Sequence, residues 1–131
     1  MLLNTKWGNN NFPYDIIKSA YLISGIFEPE VVLKLSLNEE IGLDEQEAAS
    51  NTPIPTSKVN SKIFLSAGGI EPPGWIEQTK IYTRKLKENG NAVNFQIIKR
   101  ANHFSILNVL SNPSHTFTKK MIAVTREEKN E

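Results

Sequence analysis

A chain of 131 residues holds one small domain or a piece of a larger one. Hydrophobic residues make up 39% and charged residues 22%, enough for a packed core and against wholesale disorder. A net charge of +1 gives no electrostatic case for nucleic acid or acidic membranes, the lack of cysteine rules out disulfides and thiolate chemistry, and His103 and His115 alone are too few for a histidine-rich metal site.

Taken in chain order, the opening "MLLNTKWGNNNFPYD" lacks the basic segment and long apolar run of a signal peptide. The longest apolar run, residues 20–27, is far too short to span a bilayer, so a soluble cytoplasmic chain is expected. "SAYLISGIF" is nearly continuous in apolar residues and reads as a strand buried on both faces, ending near Gly25. Pro29 then suits the first turn of a short helix. Asp44 followed by Glu47 reads as a capping box opening a second short helix over residues 45–50.

"NTPIPTSKVNS" is a proline-punctuated loop leading into "KIFLSAG", again a buried-strand pattern. Trp75, Thr79, Tyr82 and Leu86 recur on one helical face, and Asn89-Gly90 supplies the stop. Lys80, Lys85 and Lys87, interleaved with Glu77 and Glu88, read as the solvated side of that helix. In "AVNFQII", Val93, Phe95 and Ile97 alternate with Asn94 and Gln96, the signature of a half-covered strand. "HFSILNVL" reads as a short amphipathic helix, a last helix is expected over residues 114–124, and residues 125–131 read as a frayed tail. Strand, helix, strand, helix, strand, helix is the grammar of an α/β fold with a parallel sheet. Three strands are few for such a sheet, which suggests part of something larger.

Chemistry-bearing residues gather at the strand exits. Ser66 invites comparison with the G-x-S-x-G nucleophile elbow, whose glycines permit a tight strand-to-helix turn. Phe64 stands where the first glycine belongs, and a two-proline loop follows where a helix should start, so Ser66 reads as a strand-end serine. Glu71 in the same loop is the better candidate, because it lies just past a strand end, where parallel α/β sheets place functional side chains. His103 lies just past the next strand. In hydrolases of this architecture the triad runs serine, then acid, then histidine; the acid fixes the histidine tautomer so that the other ring nitrogen takes the serine's proton. On spacing alone two readings of Glu71 and His103 stand: a catalytic pair, or a surface carboxylate and a structural histidine. His115, beside Pro113 and Ser114, reads as surface.

"SAGGIEPPGWIEQTKIYTRKL" and "NFQIIKRANHFSILNVL" together resemble the C-terminal part of kynurenine formamidases (arylformamidases) and their bacterial esterase-like relatives, serine hydrolases of the α/β-hydrolase fold. The resemblance maps Glu71 onto the family's acid, Trp75 onto an aromatic, Gln78-Thr79 onto a helix start, and His103-Phe104 onto its His-Phe. "YLISGIFEPEVV" and "SLNEEIGLDEQEAASNTPI" resemble stretches of the same family after its sixth strand, and "MLLNTKW" resembles the end of the helix following its nucleophile elbow. Glu28 stands near the family's usual Asp, Asn51-Thr52-Pro53 replaces its Ser-Pro, and Glu71 replaces an acid that is commonly Asp.

The resemblance implies that residues 1–131 form the C-terminal part of an α/β-hydrolase domain, about three parallel strands with flanking helices, the N-terminal half of the sheet being absent. It implies hydrolysis of N-formylkynurenine to formate and kynurenine, in tryptophan catabolism, with catalytic residues Glu71 and His103 and with nucleophile and oxyanion motif outside the chain, leaving it inactive alone. No cofactor or metal is implied, and the implied partner is a small formyl amide or ester. A short-chain or aryl ester is the alternative substrate, and a non-catalytic remnant or binding module is the alternative of another class. Lacking sheet neighbours on one side, the strand over residues 19–25 is also expected to favour self-association.

Overall fold

The computed structural model describes residue 3 and residues 5–127. Three parallel strands form one sheet in the order β1 (Ser19–Ile23), β2 (Lys62–Gly68), β3 (Val93–Ile98). Between β1 and β2 lie a 3-10 helix over Pro29–Lys34 and the short helices α1 (Asn38–Ile41) and α2 (Glu45–Asn51). Helix α3 (Pro73–Glu88) connects β2 to β3, and α4 (Ile106–Leu110) and α5 (Thr116–Glu127) follow β3. The architecture is a partial α/β fold with helices flanking a parallel sheet.

Residue alternation sends side chains to two cores. On one face Ile63 and Leu65 of β2, with Leu22, Val93 and Phe95 beside them, pack against Tyr82 and Leu86 of α3 and against Phe27, whose ring stacks on Tyr82 at 4.3 Å. The other face carries Ile23 and Ile98, which meet Ala101, Ile106, Phe117, Val109, Leu110 and Met121 around α4 and α5. Six of the seven residues of β2 are buried, because both neighbours and both helical layers cover it. All five residues of β1 are only half-buried. This corrects the expectation of a strand buried on both faces, and the physical reason is position: among the described residues β1 has a single sheet neighbour.

Local chemistry sets the ends of the elements. Pro29 opens the 3-10 helix and Pro73 the first turn of α3, where a missing N–H costs nothing. The capping box at α2 is formed, with Asp44 accepting from Glu47 N at 2.7 Å. Asn89 closes α3, and Gly90 takes the left-handed conformation at φ 81°. Gln78-Thr79 is not the start of that helix, as the resemblance suggested. Both residues are buried in its second turn, and Gln78 Oε1 accepts from the backbone N–H groups of Phe27 (2.6 Å) and Glu28 (2.9 Å).

The last helix starts two residues later than expected. The half-buried His115 accepts the Phe117 N–H at Nδ1 (3.2 Å) and so caps its first turn rather than standing free on the surface. The same helix runs through Glu127, covering the first part of the expected frayed tail; residues 128–131 lie outside the described residues. The expected N-terminal helix end falls partly outside them as well, and what is described there is a 3-10 turn over Trp7–Asn10.

Candidate active site

The exits of all three strands converge on one point. Strand β2 ends at Gly68, and its loop is stitched to the turn after β3 by backbone hydrogen bonds from Gly69 N to Ile98 O (2.9 Å) and from Ile70 N to Ala101 O (3.0 Å). The turn closes with Ala101 N donating to Ile98 O at 3.2 Å, and Arg100 within it has φ 62°. Gly68 is required by this approach. A Cβ there would lie 3.0 Å from Glu71 Oε1 and deep inside contact distance of the Ala101 carbonyl.

On this scaffold sits Glu71, only 5% exposed, whose Oε1 accepts the Gly68 N–H at 3.1 Å. His103, in the loop after β3, is exposed to solvent. Its imidazole has the Trp75 ring edge-on at 5.5 Å and the Phe104 ring edge-on at 5.6 Å. A third side chain joins the two. Ser24, immediately after β1, donates its hydroxyl to Glu71 Oε1 at 2.5 Å, and the same Oγ lies 2.8 Å from His103 Nδ1. The carboxylate and the imidazole predicted from sequence are therefore linked through Ser24.

Ser24 reaches this position through its backbone. Its N–H donates to Ser66 O at 2.7 Å, carrying the β1–β2 ladder one residue past the strand, while φ is 51°. A serine in the left-handed region is uncommon and costs of order 1 kcal/mol or more. The conformation ends the strand and breaks its side-chain alternation. Glu71 Oε1 thus accepts from two donors, the Ser24 hydroxyl and the Gly68 N–H. The second oxygen, Oε2, is buried with no hydrogen-bond partner among the described residues.

Proton positions follow from chemistry. Glu71, as a carboxylate, accepts from the Ser24 hydroxyl; Ser24 Oγ has then spent its proton and can accept only from His103 Nδ1–H. With Nδ1 protonated in this arrangement, the ring's lone pair lies on Nε2.

Ser66, by contrast, is fully buried inside β2 rather than at its end, where the sequence suggested it, because the strand runs on to Gly68, and its hydroxyl has no partner among the described residues. The element sequence reasoning missed is Ser24. Its one local signal is Ser-Gly at the end of an apolar run, which reads as an ordinary turn. Among the described residues no group of three or more His, Asp or Glu is arranged to hold a metal, and no helix is long and apolar enough to cross a membrane.

No known family profile matches the chain. Two curated proteins are similar to it, the kynurenine formamidases of Danio rerio (28% identical over 131 residues) and Salmo salar (26% over 129). Each alignment covers 93% of this chain, but the chain spans less than half the length of either relative, 43% and 44%. The likeness to kynurenine formamidases noted in the sequence thus extends over nearly the whole chain.

Proposed function

We propose that this chain supplies the acid and the histidine of a serine hydrolase that cleaves the formyl amide of N-formylkynurenine, yielding formate and kynurenine. The observation that carries the reading is the hydrogen-bonded series Glu71–Ser24–His103 at converging strand exits. It leaves Nε2 as the basic nitrogen. The nucleophile comes from outside the 131 residues, because no serine in the sequence stands in a G-x-S-x-G frame.

In the reaction the serine hydroxyl gives its proton to His103 Nε2 as its oxygen attacks the formyl carbon. The imidazolium then returns that proton to the departing aryl amine, leaving a formyl-serine. Water, deprotonated by the same nitrogen, releases formate and regenerates the serine. Glu71 stabilises the imidazolium. Backbone N–H groups of the complete site would hold the oxyanion. Trp75 beside the imidazole and Phe104, 79% exposed, offer apolar walls suited to an aryl group, whether it belongs to a formyl amide or to an aryl ester.

The test is a hybrid in which this chain replaces the matching segment of the Danio rerio relative. The hybrid should release kynurenine from N-formylkynurenine, and His103→Ala should lower kcat by about 10^4-fold. The 131-residue chain alone should turn over neither that substrate nor nitrophenyl acetate. A folded hybrid that is active and indifferent to His103→Ala would sink the assignment. A folded hybrid active on nitrophenyl acetate alone would point to the esterase, and one inert to both substrates to a non-catalytic chain.

A further inference from the structure

We infer that Ser24 is a positioning residue, an obligatory hydroxyl bridge through which the Glu71 carboxylate holds the His103 ring and selects its tautomer. The inference rests on the catalytic reading of Glu71 and His103 but concerns how the two are coupled, and nothing in the sequence motifs points to it.

Four observations carry it. Ser24 Oγ is within hydrogen-bond distance of both groups, 2.5 Å from Glu71 Oε1 and 2.8 Å from His103 Nδ1. Ser24 is itself 6% exposed and Glu71 5%, so water competes poorly for the bond between them, while the bond to His103 is part-buried. The backbone of Ser24 is held in the left-handed region, a conformation serine seldom adopts without a compensating contact. Finally, the exposed imidazole has no other hydrogen bond to a side chain among the described contacts, so the hydroxyl is its polar anchor, while Trp75 and Phe104 limit only its sideways movement.

The direction of the bonds then follows from the chemistry. A carboxylate accepts only, so the hydroxyl donates to it and its oxygen accepts from Nδ1–H. Each bond polarises the next, and the carboxylate's charge reaches the imidazole through one oxygen atom. Without the hydroxyl, the imidazole loses its reason to carry the proton on Nδ1. His115 is a built-in control: its Nδ1 accepts from Phe117 N–H, so its proton sits on Nε2, and the two histidines of the chain should show opposite neutral tautomers.

The experiment is magic-angle-spinning nitrogen NMR on the 131-residue chain labelled at the histidine ring nitrogens, a measurement indifferent to oligomer size. It reads the ratio of Nδ1–H to Nε2–H forms at a pH where both rings are neutral. In the unmodified chain His103 should be mainly Nδ1–H. Ser24→Gly removes the hydroxyl while suiting the left-handed backbone, and should lower that ratio roughly fivefold or more, the shift expected of one ordinary hydrogen bond. Ser24→Ala strains the same backbone but should lower the ratio alike, which separates the hydroxyl from stability. The His115 signal, unchanged, certifies the fold.

Glu71→Gln distinguishes this inference from the reading beneath it. A ratio that falls in Glu71→Gln but not in Ser24→Gly overturns the bridge and leaves Glu71 acting on the ring directly. A ratio unmoved by either change removes both the bridge and the catalytic pairing.

Discussion

A buried hydroxyl that finds no partner is a cost the fold carries without return. Ser66 is fully buried and its Oγ is unpartnered among the described residues, so Ser66→Ala should raise stability by up to about 1 kcal/mol, read as a higher urea midpoint. A lower midpoint would show that the hydroxyl is satisfied in solution. Gly68 carries the opposite liability. Its missing Cβ is the space in which the loops after β2 and β3 meet, and Gly68→Ala should cost about 1–3 kcal/mol as they are forced apart. His103 should lose order in the same variant, because the displaced turn is the one that leads to it. These residues mark how far a sequence discloses a site. The closeness of Glu71 and His103 is legible because each follows a strand, and strand exits of a parallel sheet share one edge. Ser24 is not legible, because its role depends on partners 47 and 79 positions away and on a positive φ that serine rarely shows.

At the scale of elements, legibility follows burial. Strand β2 and the apolar face of α3 could be read from pattern because packing against both sheet faces demands it, and the capping box of α2 because its two side chains define it locally. The state of β1 was not legible. An apolar run does not disclose how many neighbours a strand has, and β1 is half-buried for want of a second one. The junction of α3 with the sheet also has a titratable marker. Tyr82 stacks on Phe27, and burial pushes its phenol above the ordinary value near 10. The native chain therefore holds that proton more tightly than the unfolded chain. Its contribution to stability is fully present below the unfolded value and is lost as pH rises through the raised native one. As pH rises above about 10 the denaturation midpoint of the wild-type chain should fall more steeply than that of Tyr82→Phe, which has no proton to lose. Parallel curves for the two proteins would show that the phenol titrates alike in both states.

The whole molecule is shaped by the asymmetry of its sheet. Among the described residues, β1 pairs with β2 on one side only, leaving a row of backbone N–H and C=O groups on the other. Nothing along Ser19–Ile23 blocks that edge: the strand holds no proline, lysine or other charge, and natural sheets use such residues to keep edges from pairing. The faces offer partial cover. Tyr21 donates its hydroxyl to Met121 O at 3.2 Å, tying α5 to the strand, yet Tyr21, Ala20 and Leu22 all remain half-buried. Exposed apolar side chains elsewhere, among them Ile54, Ile70 and Phe104, add to the surface that water covers at a cost. We propose that the 131-residue chain self-associates through the open edge of β1, each molecule offering the other a strand. Size-exclusion chromatography across a concentration series should show oligomers that grow with concentration. Amide exchange should then separate two sets of β1 amides: those bonded to β2, protected at every concentration, and those facing outward, protected only in the oligomer. Adding a proline at an outward-facing position of β1 should return the chain to a monomer while leaving the pairing with β2 intact. A monodisperse monomer with protected amides throughout residues 19–25 would mean that the edge is already satisfied within one molecule, and self-association through β1 would be excluded.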